Sequence, residues 1–249
     1  MSKSTKQPRR GMARVFIALI ALVGIPSGAI AFYWLVTFPD VSQLARTNPV
    51  TTVLIDSRKA EAREQGRSLT VRWNWVPLSR IAPALMRAVI VAEDASFYKH
   101  EGFDWTGIWE AAFHNIDKGK LARGGSTITQ QLAKNLYLSS EKTLMRKFHE
   151  ALIARELERR LSKPRILEIY LNVVEWGNGV YGAEAAARHH FHKSAHSLTL
   201  EEAALLAAIL PAPREHDPLR MTPTLAKRRK HIMKWMGRRY LQPRRISVD

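Results

Sequence analysis

The sequence predicts a mainly α-helical protein with one domain behind an apolar N-terminal segment. From Pro83 onward, apolar residues recur at the three- and four-residue spacing of a helix, and capping residues precede most of these stretches. The chain has 249 residues, of which 46% are hydrophobic, so it is long and apolar enough to bury a core. A disordered chain is therefore excluded.

The N-terminal segment predicts a membrane anchor. Basic residues crowd a tail at 1–14, and an uncharged run follows over 15–38. At about 1.5 Å per residue, this run crosses a hydrocarbon core of roughly 30 Å. The positive-inside rule keeps 1–14 in the cytoplasm and places the chain after Asp40 outside. A cleaved signal peptide is the alternative, because "AIA" at 29–31 resembles a cleavage site, but the apolar run continues beyond it.

The next segment, 39–76, is predicted to be a membrane-proximal linker with a small hairpin. "TTVLID" at 51–56 is rich in β-branched residues, and "LTVRWNWV" at 69–76 alternates apolar and polar side chains. Alternation with a period of two is typical of a half-buried strand.

A helical domain is predicted over 77–221, followed by a basic helical tail over 222–249. Pro83 suits a first helical position, and the helix that it opens runs to Glu93. Asp104 can cap a helix that reaches Lys118. Further helices are expected over 127–138 after a Ser126 cap, over 144–162 after Thr143, from Pro164 toward Trp176, and after the capping box of Thr199 and Glu202.

The charge of the chain points to a negatively charged partner. The formal net charge is +17, which leaves open nucleic acid, an anionic membrane surface and an anionic substrate. The chain has no cysteine, which excludes disulfides and thiolate metal sites. His192 and His196 stand four residues apart, but no acid lies in a ligand-like position beside them, so we expect no metal site.

Two acids, Glu93 and Asp94, stand at the end of the apolar helix that begins at Pro83. A carboxylate in this position loses hydration, which raises its pKa and suits it to proton transfer near neutral pH. Asp94 is a candidate to hold the turn, with His100 as its partner. An acid pair of this kind is more often a solvated helix cap, so the catalytic interpretation needs support from elsewhere in the chain.

"RGGSTITQQLAKN" at 123–135 gives the first support. Glycines and Ser126 place free N–H groups at a helix N-terminus, a common site for an anion. On the helix that follows, Thr127, Gln131 and Lys134 fall on one polar face. The alternative is an ordinary solvated surface.

"RKFHEALIARELERRL" at 146–161 gives the second support. Glu150 heads the apolar stripe of this helix, and Arg146 and Lys147 stand one turn before it. A second inward carboxylate makes the paired-acid chemistry of sugar transfer available; the alternative is an ion pair on a solvated helix. In "ILEIYLN" at 166–172, Glu168 is expected to be a structural partner for a cation or a backbone donor.

Together these stretches resemble the peptidoglycan glycosyltransferases of family 51, and most closely the monofunctional members. The motifs that carry the resemblance are "EDASFYKHEGFD", "GGSTITQQLAKN", "RKFHE" and "ILEIYLN", in the family's order. "GVYGAEAAARHHFHK" and "LTLEEAALLAAILPAP" extend it to about position 213. The sequence departs from the pattern at His190 and His192, where the family usually has Tyr and Gly.

The resemblance implies a lysozyme-like α fold with a membrane-embedded smaller lobe, and lipid II as substrate. Glu93 would be the general base that takes the proton of the acceptor's 4-hydroxyl, and the product would be an inverted, β-1,4-linked glycan. Glu150 would assist at the donor site, where cations neutralise the departing pyrophosphate. By the motif match, the substrate-binding residues would be Asp94, Phe97, His100, Ser126, Thr127, Gln130, Gln131, Lys134, Asn135, Arg146 and Lys147.

The resemblance also implies partners and a location. No cofactor or bound metal is expected, and assistance by a divalent cation at the pyrophosphate is left open. The partners would be lipid II, the growing glycan chain and the membrane; other wall-synthesis proteins are left open, and nucleic acid is not expected. The protein would cross the cytoplasmic (inner) membrane once, with its catalytic domain on the periplasmic side. A membrane-anchored muramidase and a non-enzymatic basic scaffold are the alternatives.

Overall fold

The computed structural model describes residues 20–22, 24, 25, 27, 28, 38–105, 125–139, 141 and 143–237. The chain divides into two units, Met1–Asp40 and Val41–Asp249. In the first unit, the described residues between 20 and 28 are helical. Across the described ranges, no helix combines the length and apolarity that crossing a membrane requires. The predicted tail at 1–14 lies outside the described residues, as does most of the predicted anchor at 15–38.

The second unit is mainly helical, as predicted. Its described helices are α1 (Val53–Glu64), α2 (Pro83–Glu93), α3 (Ile128–Tyr137), α4 (Leu144–Arg160), α5 (Lys163–Val173), α6 (Ala183–Phe191), α7 (Leu200–Ile209) and α8 (Pro223–Met236). Its described strands are β1 (Arg72–Trp73), β2 (Glu175–Gly177) and β3 (Val180–Tyr181). Short 3₁₀ turns lie at Ser42–Ala45, Leu78–Arg80, Phe97–Lys99 and Ala195–Ser197.

The hairpin predicted within 39–76 is wrong. The stretch 51–56 enters α1, because the hydroxyl of Thr52 accepts a hydrogen bond from the N–H of Ile55 at 3.1 Å and caps the helix. Of the stretch 69–76, two residues form β1, which pairs in parallel with β3. The indole of Trp73 donates to the carbonyl of Asn172 at 2.6 Å, so this stretch packs on the end of α5 and not on a hairpin partner.

The three strands form one small sheet in the order β1-β3-β2, with β2 and β3 antiparallel. Glycines with positive φ flank β3, at 74° for Gly179 and 81° for Gly182. A β-carbon on Gly182 would stand 2.6 Å from the carbonyl oxygen of Asn172, and one on Gly179 would stand 2.3 Å from that of Thr70. Only glycine allows both the backbone conformation and the close approach at these positions.

Most of the predicted helices are confirmed, and their capping residues explain their bounds. α2 begins at Pro83, and Thr143 caps α4 through a hydrogen bond from the N–H of Arg146. Thr199 and Glu202 form the predicted capping box of α7. The predicted Ser126 cap is displaced by one residue, because Thr127 makes a capping box with Gln130 and α3 begins after it. The helix expected after Asp104 falls almost entirely outside the described residues.

The core is built around α7. This helix packs against α2 and α8, while α3 packs against α1, α4 and α5. The buried residues of α7 are small or aliphatic, which lets its neighbours approach closely. They are Ala203, Ala204, Leu206, Ala207, Ala208 and Ile209. α2 therefore runs through the core and delivers its last residue, Glu93, to the side of α3.

Arg165 on α5 ties the beginning of the second unit to the helices. Its guanidinium donates to the carbonyl oxygens of Leu44 at 2.8 Å and Thr47 at 2.9 Å. It also pairs with Glu168, which accepts a hydrogen bond from the N–H of Leu78 at 2.8 Å. The structural role predicted for Glu168, as partner of a cation or a backbone donor, is confirmed.

We expect His192→Gly to stabilise the protein. His192 follows α6 with φ 56°, the left-handed region, and its side chain is exposed. A residue with a β-carbon pays about 1 kcal/mol there, so glycine should raise the midpoint of thermal unfolding by about 2–4 °C. His192→Ala is the matched control, since it removes the imidazole but keeps the β-carbon. An equal rise in both variants would show that the imidazole, and not the backbone, is the source of the cost.

Candidate active site

Glu93 lies at the end of α2, where the helix leaves the core. The preceding residues Leu85, Ala88 and Val89 are buried, which fixes the direction of the helix and holds the carboxyl against α3. Gln131 on α3 donates its amide N–H to Glu93 Oε2 at 2.7 Å. Burial raises the pKa of the Glu93 carboxyl, against the opposing effect of this hydrogen bond and of nearby cations. The direction is the one that the sequence predicts.

Asp94, the next residue, holds the chain and does not face solvent. Its carboxylate accepts hydrogen bonds from the N–H of Ile128 at 3.0 Å and from His100 Nε2 at 2.9 Å. The N–H of Gly102 donates to His100 Nδ1 at 3.1 Å, so the proton of the neutral imidazole lies on Nε2. The predicted pairing of Asp94 with His100 is confirmed.

The N-terminus of α3 does receive an anion, but that anion is the Asp94 carboxylate. The N–H of Thr127 donates to Gln130 Oε1 at 3.0 Å, and that of Gln130 donates to the Thr127 hydroxyl at 3.2 Å. The Thr127 hydroxyl in turn donates to the carbonyl of Gly102 at 2.7 Å. The backbone N–H groups of Thr127, Ile128 and Gln130, expected from the sequence to be free for an anion, are therefore engaged within the protein. Substrate contacts by Asp94, His100, Thr127 and Gln130 stay predictions.

Phe97 lies in the loop that follows Glu93, and its side chain is fully buried. The ammonium of Lys163 lies 4.5 Å from the centre of its ring and 2.7 Å from Glu158 Oε1. Glu158 also accepts a hydrogen bond from the Thr129 hydroxyl at 2.6 Å. This cluster joins α3, α4 and α5 beneath the loop that follows Glu93. A substrate contact by Phe97 stays a prediction.

Glu150 faces the interior from α4, as the apolar stripe predicts. Its side chain is nearly inaccessible, with the residue 2% exposed. Arg146 donates to Glu150 Oε2 at 2.7 Å, and Lys147 pairs with Glu150 Oε1. Lys147 also donates to the Ser126 hydroxyl at 3.1 Å, which links α4 to the loop before α3.

Lys134 interacts electrostatically with both Glu93 and Glu150. It is exposed on α3, whereas its neighbour Asn135 is buried. Desolvation by surrounding side chains lowers the pKa of Lys134, Glu150 and Glu93 oppose that shift, and the cations of α4 add to it. A base candidate, an exposed lysine and an ion-paired glutamate thus form one charged region.

Sequence reasoning missed two residues near Glu93. Arg228 on α8 lies close enough to Glu93 to lower the pKa of that carboxyl, and its guanidinium approaches the carbonyl of Ala208 at 3.5 Å. The signal was available, because the buried residues Leu225 and Ile232 place Arg228 on the packed side of α8. Tyr170 on α5 is the other, and its hydroxyl donates to Gln131 Oε1 at 3.0 Å.

The arrangement suits the transfer of a group that leaves as an anion. A glutamate whose pKa is raised by burial can accept a proton near neutral pH. Lys134 and Arg228, which act on Glu93, and Arg146 and Lys147, which pair with Glu150, match the chemistry of a phosphate-bearing ligand. Within the described ranges, no three or more histidine, aspartate or glutamate side chains are grouped to hold a metal ion.

Comparison with known proteins follows the same lines. The family model described as transglycosylase matches residues 62–237. Three bacterial proteins named biosynthetic peptidoglycan transglycosylase are among the relatives. The one from Nitrosospira multiformis is 46% identical over 225 residues, which cover 90% of this chain and 95% of that protein. The one from Laribacter hongkongensis is 48% identical over 82% of this chain and 90% of its own length.

The third relative, from Chromobacterium violaceum, is 51% identical over 191 residues, which cover 76% of this chain and 83% of that protein. The region that the family model matches, 62–237, contains Glu93, Glu150 and the cations around them. These matches confirm the resemblance that the motifs indicated, and the chain belongs to the transglycosylase family.

Proposed function

We propose that this transglycosylase polymerises lipid II into β-1,4-linked glycan strands and releases undecaprenyl pyrophosphate, with inversion at the sugar and with Glu93 as general base. The observation that carries the proposal is the position of Glu93, a glutamate whose pKa is raised by burial, beside a group of cations. The names of the relatives support peptidoglycan as the polymer.

The base step uses Glu93. Its carboxylate takes the proton of the acceptor sugar's 4-hydroxyl, and the oxygen attacks C1 of the lipid-linked donor chain. The side-chain amide of Gln131, whose Nε2 lies 2.7 Å from Glu93 Oε2, donates to the carboxylate and holds it in place for this transfer. The bond from C1 to the pyrophosphate breaks on the opposite face, which gives inversion.

The leaving group needs positive charge. Glu150 pairs with Arg146 and Lys147, and this ion-paired group fixes the two cations where a pyrophosphate can meet them. Lys134 supplies a third cation, and a bound phosphate would raise its pKa again. The proposal requires no cofactor, because these side chains provide the counter-charge; a divalent cation remains an additional source to test.

The proposed location is the cytoplasmic membrane, with one anchor over 15–38 and the catalytic domain on the periplasmic side. A lysozyme-like arrangement with a smaller membrane-embedded lobe belongs to the same proposal. Exposed apolar residues at the start of α4 support contact with lipid: Leu144 is 91% exposed, Met145 51% and Phe148 56%. They are adjacent in sequence to Arg146 and Lys147, but those two cations turn toward Glu150, so the exposed apolar residues leave α4 on a different face.

We expect Glu93→Gln to lower turnover of lipid II by about 10²–10⁴-fold, because it removes the proton acceptor and keeps the size of the side chain. Binding of the lipid substrate should be largely kept. In the unchanged protein, turnover should fall on acidification, since protonation of a base with a raised pKa removes the active form. Polymerisation by the full chain in detergent over a pH series measures both effects.

Glu201→Gln is the matched control for this variant, because Glu201 is exposed in the first turn of α7, and its turnover should be unchanged. Near-normal turnover in Glu93→Gln would mean that another group is the base, with Asp94 the first candidate. Cleavage of finished glycan in place of polymerisation would favour the muramidase alternative.

We expect Arg146→Gln to weaken binding of undecaprenyl pyrophosphate about tenfold, because one charged hydrogen-bond donor to the phosphates is lost. The acid limb of the pH profile, which is the fall in turnover at low pH, should stay at the same pH, because this variant leaves Glu93 unchanged. Direct binding to the full chain in detergent gives the affinity. Arg159→Gln is the control on the same helix, because Arg159 pairs with Glu156 at the exposed end of α4. Equal losses in the two variants would contradict a pyrophosphate site at Arg146.

A further inference from the structure

Three side chains from three helices form a row of hydrogen bonds that ends at Glu93. They are Tyr170, Gln131 and Glu93. The Tyr170 hydroxyl on α5 lies 3.0 Å from Gln131 Oε1 on α3. The other end of the Gln131 amide, Nε2, lies 2.7 Å from Glu93 Oε2 on α2. Tyr170 is fully buried, so its hydroxyl is removed from water and is satisfied by this contact.

When Glu93 is ionised, both hydrogen bonds of this row donate toward Glu93. A carboxylate only accepts hydrogen bonds, so the amide must present its N–H to Glu93 and its oxygen to Tyr170. Burial, with the charges of Glu93 and Asp94, raises the pKa of Tyr170, so its hydroxyl keeps the proton that it donates.

A turned amide would reverse the row. If Gln131 rotated, its oxygen would face Glu93, and that contact is favourable only when the Glu93 carboxyl is protonated and donates. The orientation of one amide is therefore coupled to the proton on Glu93. The Tyr170 hydroxyl could accept from the turned amide, but its own buried O–H would then lose Gln131 Oε1 as its acceptor, so the hydroxyl favours the orientation in which it donates.

We propose that Tyr170 is a positioning residue, which by donating to Gln131 Oε1 keeps the amide N–H of Gln131 directed at Glu93. Through this contact Tyr170 favours the ionised carboxylate without touching it. The inference rests on the proposed function where it concerns catalysis, since Glu93 is the base there.

The other charges near Glu93 do not replace this contact. Lys134 on α3 and Arg228 on α8 favour the ionised carboxylate, and Asp94 at the end of α2 opposes it. All three act on Glu93 by charge and stay in place when the Tyr170 hydroxyl is removed.

The test is Tyr170→Phe, which deletes the hydroxyl and keeps the buried ring. We expect the acid limb of the pH profile for kcat/KM to move to higher pH. At a pH on that limb, the variant should lose about tenfold more activity than at high pH, the equivalent of one charge-assisted hydrogen bond. A loss that is equal at every pH, together with an unmoved titration of Glu93 itself, would overturn the inference, because it would reflect packing alone.

Tyr181→Phe is the matched control. Tyr181 is also fully buried, and its hydroxyl has no hydrogen-bond partner among the described residues. Deleting that hydroxyl should leave the acid limb in place. A movement of the limb equal to that of Tyr170→Phe would overturn the inference, because any buried hydroxyl would then have the same effect.

Gln131→Met provides a second route if Tyr170→Phe folds poorly. It removes the amide through which Tyr170 acts, so it should move the acid limb in the same direction. The double variant should move it no further than Gln131→Met alone, since the two residues act in series. Additive movements would contradict a row that passes through Gln131.

Titration of Glu93 by carbon-13 NMR of the glutamate-labelled full chain separates this inference from the proposed function, with Glu93→Gln identifying the signal. A titration that moves to higher pH in Tyr170→Phe supports the inference. If the acid limb of turnover did not move with it, the inference would stand and Glu93 would not be the base. If neither moved while Glu93→Gln was inactive, the inference would be overturned and the base assignment would stand.

Discussion

The hydrogen bond from the N–H of Ile128 to the Asp94 carboxylate is the interaction on which the site depends. It joins the end of α2 to the start of α3 at 3.0 Å and places a negative charge at a helix N-terminus, where the helix dipole favours it. Because Glu93 precedes Asp94 and Gln131 lies one turn into α3, this single contact brings Glu93 and its amide partner together. The capping box of α3 and the His100 imidazole secure the same junction.

The two inward glutamates differ by their surroundings and not by their chemistry. Glu93 has a neutral amide as its hydrogen-bond donor, and burial dominates its environment. Glu150 has an arginine and a lysine, one on each carboxylate oxygen. The first environment favours exchange of a proton, while the second holds two cations in place. Lys134 is exposed and interacts electrostatically with both glutamates.

Local signals carried the sequence predictions that are confirmed. Helical spacing located α2 and the inward face of Glu150, and capping patterns located Thr143 and the start of α7. The stretch 51–56 was misassigned because its β-branched residues outweighed the Thr52 cap. Tyr170 and Arg228 were missed because their partners lie on other helices. Spacing within α8 can place Arg228 on the packed side of that helix, but it cannot name a partner on another helix, because only the packing of the helices creates such contacts.

The small sheet has a consequence for how the chain folds during synthesis. β1 pairs with β3, while the side-chain amide of Asn172 bonds both the N–H and the carbonyl of Val76 at 2.9 Å. Residues 72–76 therefore lack these partners until the ribosome has added α5 and β3. The sheet is a late, long-range closure, and its formation depends on loop-closure entropy more than on local propensity. Until then, the side chain of Trp73 stays uncovered and open to chaperones.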